Sequence, residues 1–183
     1  MKRFMVLALV VCSIGLIVAQ APSDHELPQS RSTPQFELLK QLEGDWLELD
    51  NNHQPTGQTA HYRLTSGGST LVETTFVGTP METITIFFVD GQQLKLTHYG
   101  LLQNQPTMQA KAAKQFNVVE FEFTEGTNIT SSASPHMHRA KFTFLNQDHY
   151  QAEWTHFAGG EPAKTMLLNM TREGQPEEKH PSK

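Results

Sequence analysis

Residues 136–157 read HMHRAKFTFLNQDHYQAEWTHF, and this stretch decides the fold. On both sides of the turn Asn146-Gln147-Asp148, apolar and polar side chains alternate at every second position. Alternation with a period of two is typical of a β-strand with one buried face, and a short turn between two such runs is typical of an antiparallel hairpin. The stretch therefore predicts two paired strands, 137–145 and 149–157.

The same alternation extends outward over most of the chain and predicts eight further strands. They are 45–50, 58–65, 69–77, 81–89, 93–100, 106–112, 116–123 and 164–172. Turns such as Gly67-Gly68 and Asp90-Gly91 are short, so consecutive strands should pair antiparallel. A sheet of this size avoids exposed edges by closing on itself. The sequence thus predicts an all-β fold, an antiparallel up-and-down β-barrel of about ten strands.

A short N-terminal helix should precede the barrel. Thr33 followed by Pro34 is typical of a helix start, and Gly44 of a helix end. The apolar residues between them fall on one side. We therefore expect one domain over residues 33–173, with a flexible leader at 22–32 and a charged, disordered tail at 174–183.

The first 21 residues are typical of a secretory signal peptide. The basic pair Lys2-Arg3 precedes an apolar run over residues 4–18, and small residues at Ala19 and Ala21 mark two alternative cleavage sites. The apolar run is too short for a permanent membrane anchor. We therefore expect an exported protein, periplasmic or extracellular.

Composition excludes several functional classes. Cys12, inside the signal peptide, is the only cysteine, so the mature protein would have no disulfide, thiolate ligand or cysteine nucleophile. Removal of Lys2 and Arg3 from the 14 basic residues leaves 12 against 19 acidic ones, a net charge of about −7. This balance argues against nucleic acid as a partner. After the signal peptide, no apolar run is long enough for a membrane-spanning helix.

Two motifs at the ends of the predicted barrel resemble the calycin superfamily, which includes lipocalins, fatty-acid-binding proteins and nitrobindin-like barrels. They are Leu42-Glu43-Gly44-Asp45-Trp46 in front of the first strand and Thr171-Arg172 at the end of the last. The resemblance implies that Trp46 packs beneath Arg172, an arrangement that suits a guanidinium over an indole face. Three shorter motifs are similar to a group of bacterial exported calycin-like proteins with no established activity: Thr97-His98-Tyr99, Asn104-Gln105-Pro106 and His136-Met137-His138.

Four histidines are predicted to meet at one mouth of the barrel. In the fifth, eighth and ninth strands, the apolar face also carries His98, His136, His138 and His156. Because alternate strands run in opposite directions, the end of the fifth, the start of the eighth and the end of the ninth lie at one rim. The N-terminal helix should close the opposite end.

Imidazoles grouped in this way suit a divalent metal ion such as zinc, and His-x-His on a strand places two rings on one face. Haem held by one histidine, as in the nitrobindin-like barrels, is an alternative that the resemblance implies. A third interpretation is a polar rim in which the histidines bond to Tyr99, Asn104 or Gln105. We expect Trp154 in the cavity wall and Glu82 at the same rim, as a carboxylate ligand or general base.

The sequence therefore favours a binding protein rather than an enzyme. This protein would be an exported barrel that binds a small molecule or a metal. A metal-assisted hydrolase or acid/base enzyme that uses the same histidines is the first alternative. The second is a non-catalytic interaction scaffold that presents the polar loop Thr124–Pro135.

Overall fold

The computed structural model describes residues 31–174. The predicted signal peptide, most of the predicted leader and all but the first residue of the predicted tail lie outside the described residues. One helix, α1 (Pro34–Lys40), precedes ten strands. The strands are β1 (Gly44–Leu49), β2 (Pro55–Thr65), β3 (Thr70–Thr75), β4 (Thr83–Asp90), β5 (Gln93–Tyr99), β6 (Gln105–Ala110), β7 (Val118–Thr127), β8 (His136–Phe144), β9 (His149–Ala158) and β10 (Glu161–Arg172).

The ten strands form a closed barrel in which every pairing is antiparallel. Each strand pairs with its neighbours in the chain, and β1 closes the ring by pairing with both β2 and β10. The predicted fold class is therefore confirmed. In the described part of the chain, no helix is long and apolar enough to cross a membrane.

Helix α1 lies at the end of the barrel where the odd-numbered strands begin, because it leads directly into β1. The hydroxyl of Thr33 caps the helix by accepting a hydrogen bond from the backbone N–H of Phe36. Phe36 and Leu39 are fully buried. The helix thus covers one end of the barrel and leaves the other end to the loops.

The predicted contact between Trp46 and Arg172 is present. The two residues are partners across β1 and β10, and the guanidinium lies 4.3 Å from the centre of the indole ring. The indole N–H donates to the carbonyl of Leu42, 2.7 Å away. Arg172 also donates to three backbone carbonyls, those of Gln41, Glu43 and Gln147. One side chain of the last strand thereby contacts the helix end, the start of the first strand and the turn between β8 and β9.

The barrel interior has a packed half and a hollow half. Near α1, the interior is filled by large buried side chains that include Trp46, Phe87, Phe121, Phe142 and Tyr150. Aromatic rings meet there edge to face, as with Phe87 and Phe142, whose centres are 5.6 Å apart. Towards the other end, smaller and polar residues such as Thr83, Thr85 and His98 take the inward positions and enclose a cavity.

Candidate functional site: a cavity with two inward histidines

A cavity of about 300 Å³ occupies the half of the barrel away from α1. Its volume lies at the lower end of the range for small-molecule sites. Most of its wall is apolar and comes from Phe76, Met81, Leu101, Leu102, Met137, Trp154, Met166 and Leu168. The polar side chains in the wall are those of Thr75, Thr83, Thr85, His98, Asn104 and His156. An apolar wall with a few polar groups is typical of a binding site for small organic molecules.

His98 lies in the cavity wall at the end of β5, as the alternation of that strand predicted. It is 8% exposed, and its ring centre lies 5.0 Å from that of Trp154. Its Nδ1 lies 3.1 Å from the hydroxyl oxygen of Thr85. Burial lowers the pKa of His98 to about 4, so the ring is neutral at physiological pH.

His156 enters the same wall from β9. Its Nε2 atom is buried and has no hydrogen-bond partner among the described residues. A buried polar atom without a partner costs free energy unless a ligand or water satisfies it. His156 is therefore a residue of the cavity wall that carries a buried, unsatisfied nitrogen.

His136 and His138 do not line the cavity, and the inward facing predicted for them is wrong. The register between β8 and β9 shifts between Met137 and Arg139, so Met137 is the partner of His156 and shares its face. The bulge inserts one extra residue, which reverses the alternation at the start of the strand. Met137, between the two histidines, is the residue that reaches the cavity.

The two displaced histidines form a pair of their own. The Nε2 of His136 and the Nδ1 of His138 are 2.9 Å apart, and the ring of His138 stacks on Phe157 at 3.8 Å. The Nδ1–H of His136 donates to the carbonyl of Ser134. The Nε2 of His138 lies 3.3 Å from a carboxylate oxygen of Glu122. Burial lowers the pKa of His138, although the carboxylate of Glu122 opposes this effect.

The arrangement does not fit the metal centre predicted from the four histidines. His98 and His156 lie in the cavity wall and His136 and His138 lie outside it, and no group of three His, Cys, Asp or Glu side chains within residues 31–174 is placed to hold a metal ion. Structural zinc sites need four protein ligands and catalytic zinc sites need three.

Two of the other predicted site residues line the cavity and three do not. Asn104 and Trp154 are in the wall, and the Asn104 side chain donates to the carbonyl of Pro135 at 2.7 Å. Tyr99 is 44% exposed because it follows the inward His98. Gln105 follows Asn104, and its side chain accepts a hydrogen bond from Thr127.

Glu82 is exposed and lies outside the cavity wall. Its carboxylate accepts a hydrogen bond from the backbone N–H of Gly78, 2.8 Å away, within the loop between β3 and β4. The inward positions of β4 are Thr83, Thr85 and Phe87. His98 and His156 are thus the two titratable side chains of the cavity wall in the described part of the chain, and no carboxylate belongs to that wall.

The sequence did not predict that a buried acidic residue, Glu73, adjoins the cavity. Glu73 on β3 is 2% exposed, and its carboxylate accepts a hydrogen bond from the phenol of Tyr62. That phenol in turn lies 2.8 Å from the hydroxyl of Tyr150. The sequence contained one signal for this position. Leu71, Glu73 and Thr75 lie on the same face of the strand, so an inward Leu71 implies an inward Glu73.

No family model matches the chain, and comparison with the curated proteins found no match. The class of protein is defined by its fold and its cavity. It is a closed, ten-stranded antiparallel β-barrel with a ligand-sized interior, which is compatible with a calycin-like fold.

Proposed function

We propose that this protein is an exported barrel that binds one small, largely apolar molecule in the cavity opposite α1. The observation that carries the proposal is the cavity itself, an apolar chamber whose wall includes the neutral His98 and His156, a residue with an unpartnered buried nitrogen. Apolar walls supply affinity through removal of surface from water, and a few polar groups fix the orientation of the ligand. Charged side chains are absent from this wall within the described residues, so the ligand should be uncharged.

Two features support export and a relationship with the calycins. The signal-like first 21 residues support export to the periplasm or the extracellular space. The contact between Trp46 and Arg172 supports a relationship with the calycins. Fractionation of cells that express the full chain tests the first of these, and recovery of the protein in the cytoplasm would contradict it.

Binding is tested with the neutral fluorescent probe N-phenyl-1-naphthylamine and two tryptophan substitutions on β10. Met166 lines the cavity, whereas its neighbour Leu167 is 49% exposed on the outer face. Met166→Trp should fill the cavity and reduce probe affinity by roughly tenfold or more, because the apolar contacts that the probe loses with the cavity wall are worth more than about 1.4 kcal/mol. Leu167→Trp should leave the affinity unchanged.

Circular dichroism and a urea titration establish that both variants are folded. Equal probe affinity in the wild type and in folded Met166→Trp would refute the cavity as the binding site. Elemental analysis and an absorption spectrum of the purified protein test the metal and haem alternatives directly. A stoichiometric metal or a Soret band would replace the proposal with one of them.

A further inference from the structure

A continuous row of polar side chains runs under the cavity across four neighbouring strands. Tyr62, Glu73, Thr85 and His98 are successive partners from β2 to β5. Tyr62 donates to Glu73. Thr85 is the cross-strand partner of Glu73 and is also buried, and its hydroxyl lies 3.1 Å from the Nδ1 of His98. We call Glu73, Thr85 and His98 the relay, because Thr85 lies between a buried carboxyl group and a cavity histidine.

Among residues 31–174, no positive charge stands near Glu73 to hold it ionised. The groups that face it are the phenol of Tyr62 from β2, the hydroxyl of Thr85 from β4 and, through Tyr62, the phenol of Tyr150 from β9. Burial raises the pKa of Glu73, and the hydroxyls of Tyr62 and Thr85 offset part of this effect. Burial also holds the pKa of both tyrosines well above their usual value, so they stay neutral. Glu73 is therefore the acidic group of this row, and its pKa lies above its ordinary value.

The single proton of the Thr85 hydroxyl couples Glu73 to His98. A hydroxyl donates one hydrogen bond, so Thr85 donates either to Glu73 or to His98. If Glu73 is ionised, Thr85 donates to it and accepts from the Nδ1–H of His98, which leaves Nε2 bare. If Glu73 is protonated, it donates to Thr85, and Thr85 donates to Nδ1. The proton of the neutral imidazole is then on Nε2.

We propose that His98 selects the polar group of the ligand and that Glu73, acting through Thr85, sets whether His98 accepts or donates a hydrogen bond. The inference rests on the proposed function for the existence of a ligand. While Glu73 is ionised, the cavity takes an apolar molecule with a hydroxyl or N–H group. While Glu73 is protonated, it takes one with a carbonyl or ether oxygen. Glu73 and Thr85 are positioning residues, since His98 is the member of the relay that offers its free nitrogen to the ligand.

Gly100 keeps the free nitrogen of His98 accessible. Both residues line the cavity, and a Cβ atom at position 100 would lie 2.6 Å from the Nε2 of His98. Contacts this short do not occur, so any side chain at this position would displace the ring or cover the nitrogen. The absence of a side chain at Gly100 leaves space in front of Nε2 for a ligand atom.

The relay is tested first without any ligand, by nitrogen-15 NMR of the histidine rings. In the wild type, the His98 proton should move from Nε2 to Nδ1 as the pH rises and Glu73 loses its proton. In Glu73→Gln the amide donates to Thr85 at every pH, so His98 should keep its proton on Nε2. Glu125→Gln, an exposed substitution on β7, is the control and should behave like the wild type. A His98 proton that stays on one nitrogen throughout the titration in the wild type overturns the proposal.

Thr85→Val provides a second variant that leaves Glu73 intact. Valine has the shape of threonine without the hydroxyl, so the response of His98 to the titration of Glu73 should disappear. A response that persists in folded Thr85→Val shows that Thr85 does not transmit it and refutes the relay.

The ligand prediction is tested with 2-naphthol and 2-methoxynaphthalene, which share an apolar body but differ in having a hydroxyl proton. At pH 8 the wild type should prefer 2-naphthol, and Glu73→Gln should lower this preference by roughly three- to tenfold, the range of one net hydrogen bond. Gly100→Ala should lower the preference while the NMR response of His98 persists. If neither compound binds but the NMR response is present, the proposed function fails and the relay stands. If both bind with an unchanged preference in Glu73→Gln, the relay fails and the proposed function stands.

Discussion

Acidification should destabilise the barrel through protonation of His98. This residue is 8% exposed, and burial lowers its pKa from 6.5 to about 4. The neutral ring is therefore favoured in the folded state, and its contribution to stability is fully present above pH 6.5 and lost as the pH falls towards 4. At 1.36 kcal/mol per pH unit, the difference between 6.5 and about 4 corresponds to about 3 kcal/mol, of which about 2.5 kcal/mol is lost by pH 4.5.

The assay is urea denaturation at pH 7.5 and pH 4.5 for the wild type and for His98→Asn, which keeps a polar group near Thr85 but does not titrate. The wild type should lose about 2.5 kcal/mol more free energy of unfolding than the variant. Glu73 acts in the opposite direction, because its raised pKa favours the folded state at acid pH, but it is present in both proteins. His61→Asn, on an exposed histidine, should differ from the wild type by less than about 1 kcal/mol. Equal losses in the wild type and His98→Asn would refute the role of His98.

Two further substitutions test the barrel ends. Arg172→Ala removes the guanidinium over Trp46 and three hydrogen bonds to carbonyls. Urea denaturation should show that the free energy of unfolding falls by about 2–4 kcal/mol. Arg63→Ala, at an exposed position, is the control and should lower it by less than about 0.5 kcal/mol. A loss for Arg172→Ala no larger than that of Arg63→Ala contradicts the prediction. Asn104→Ala leaves the carbonyl of Pro135 without its 2.7 Å hydrogen bond at a buried position and should cost about 1–3 kcal/mol in the same measurement. Full stability of this variant would show that the bond contributes nothing.

Alternation along the chain was sufficient to predict the barrel and half of the histidine placement. The ten strands and the inward facing of His98 and His156 follow from a period of two between recognisable turns, and the cap at Thr33 follows from the Thr33-Pro34 pair. These features are local, since each depends on a few consecutive residues. The order of the strands followed because short turns leave antiparallel neighbours as the simplest pairing.

The rest depended on register, which the sequence does not display. The bulge after Met137 moves His136 and His138 off the cavity face, yet no glycine or proline lies between Met137 and Arg139 to mark it. The inward position of Glu73 was obscured because Leu71 and Val72 are both apolar and the alternation is locally ambiguous. Its environment comes from Tyr62 and Tyr150, which are 11 and 77 residues away.

The hydrogen bond between Tyr62 and Tyr150 joins β2 to β9 across the lumen, within the filled half of the barrel. Residues of the filled half hold the fold, and most residues around the cavity only shape the chamber. Substitutions in the chamber wall, at positions such as Met166 or Thr83, can therefore accumulate during evolution with little loss of thermodynamic stability. A barrel divided in this way can acquire a new cargo by changes confined to one end, while its architecture stays the same.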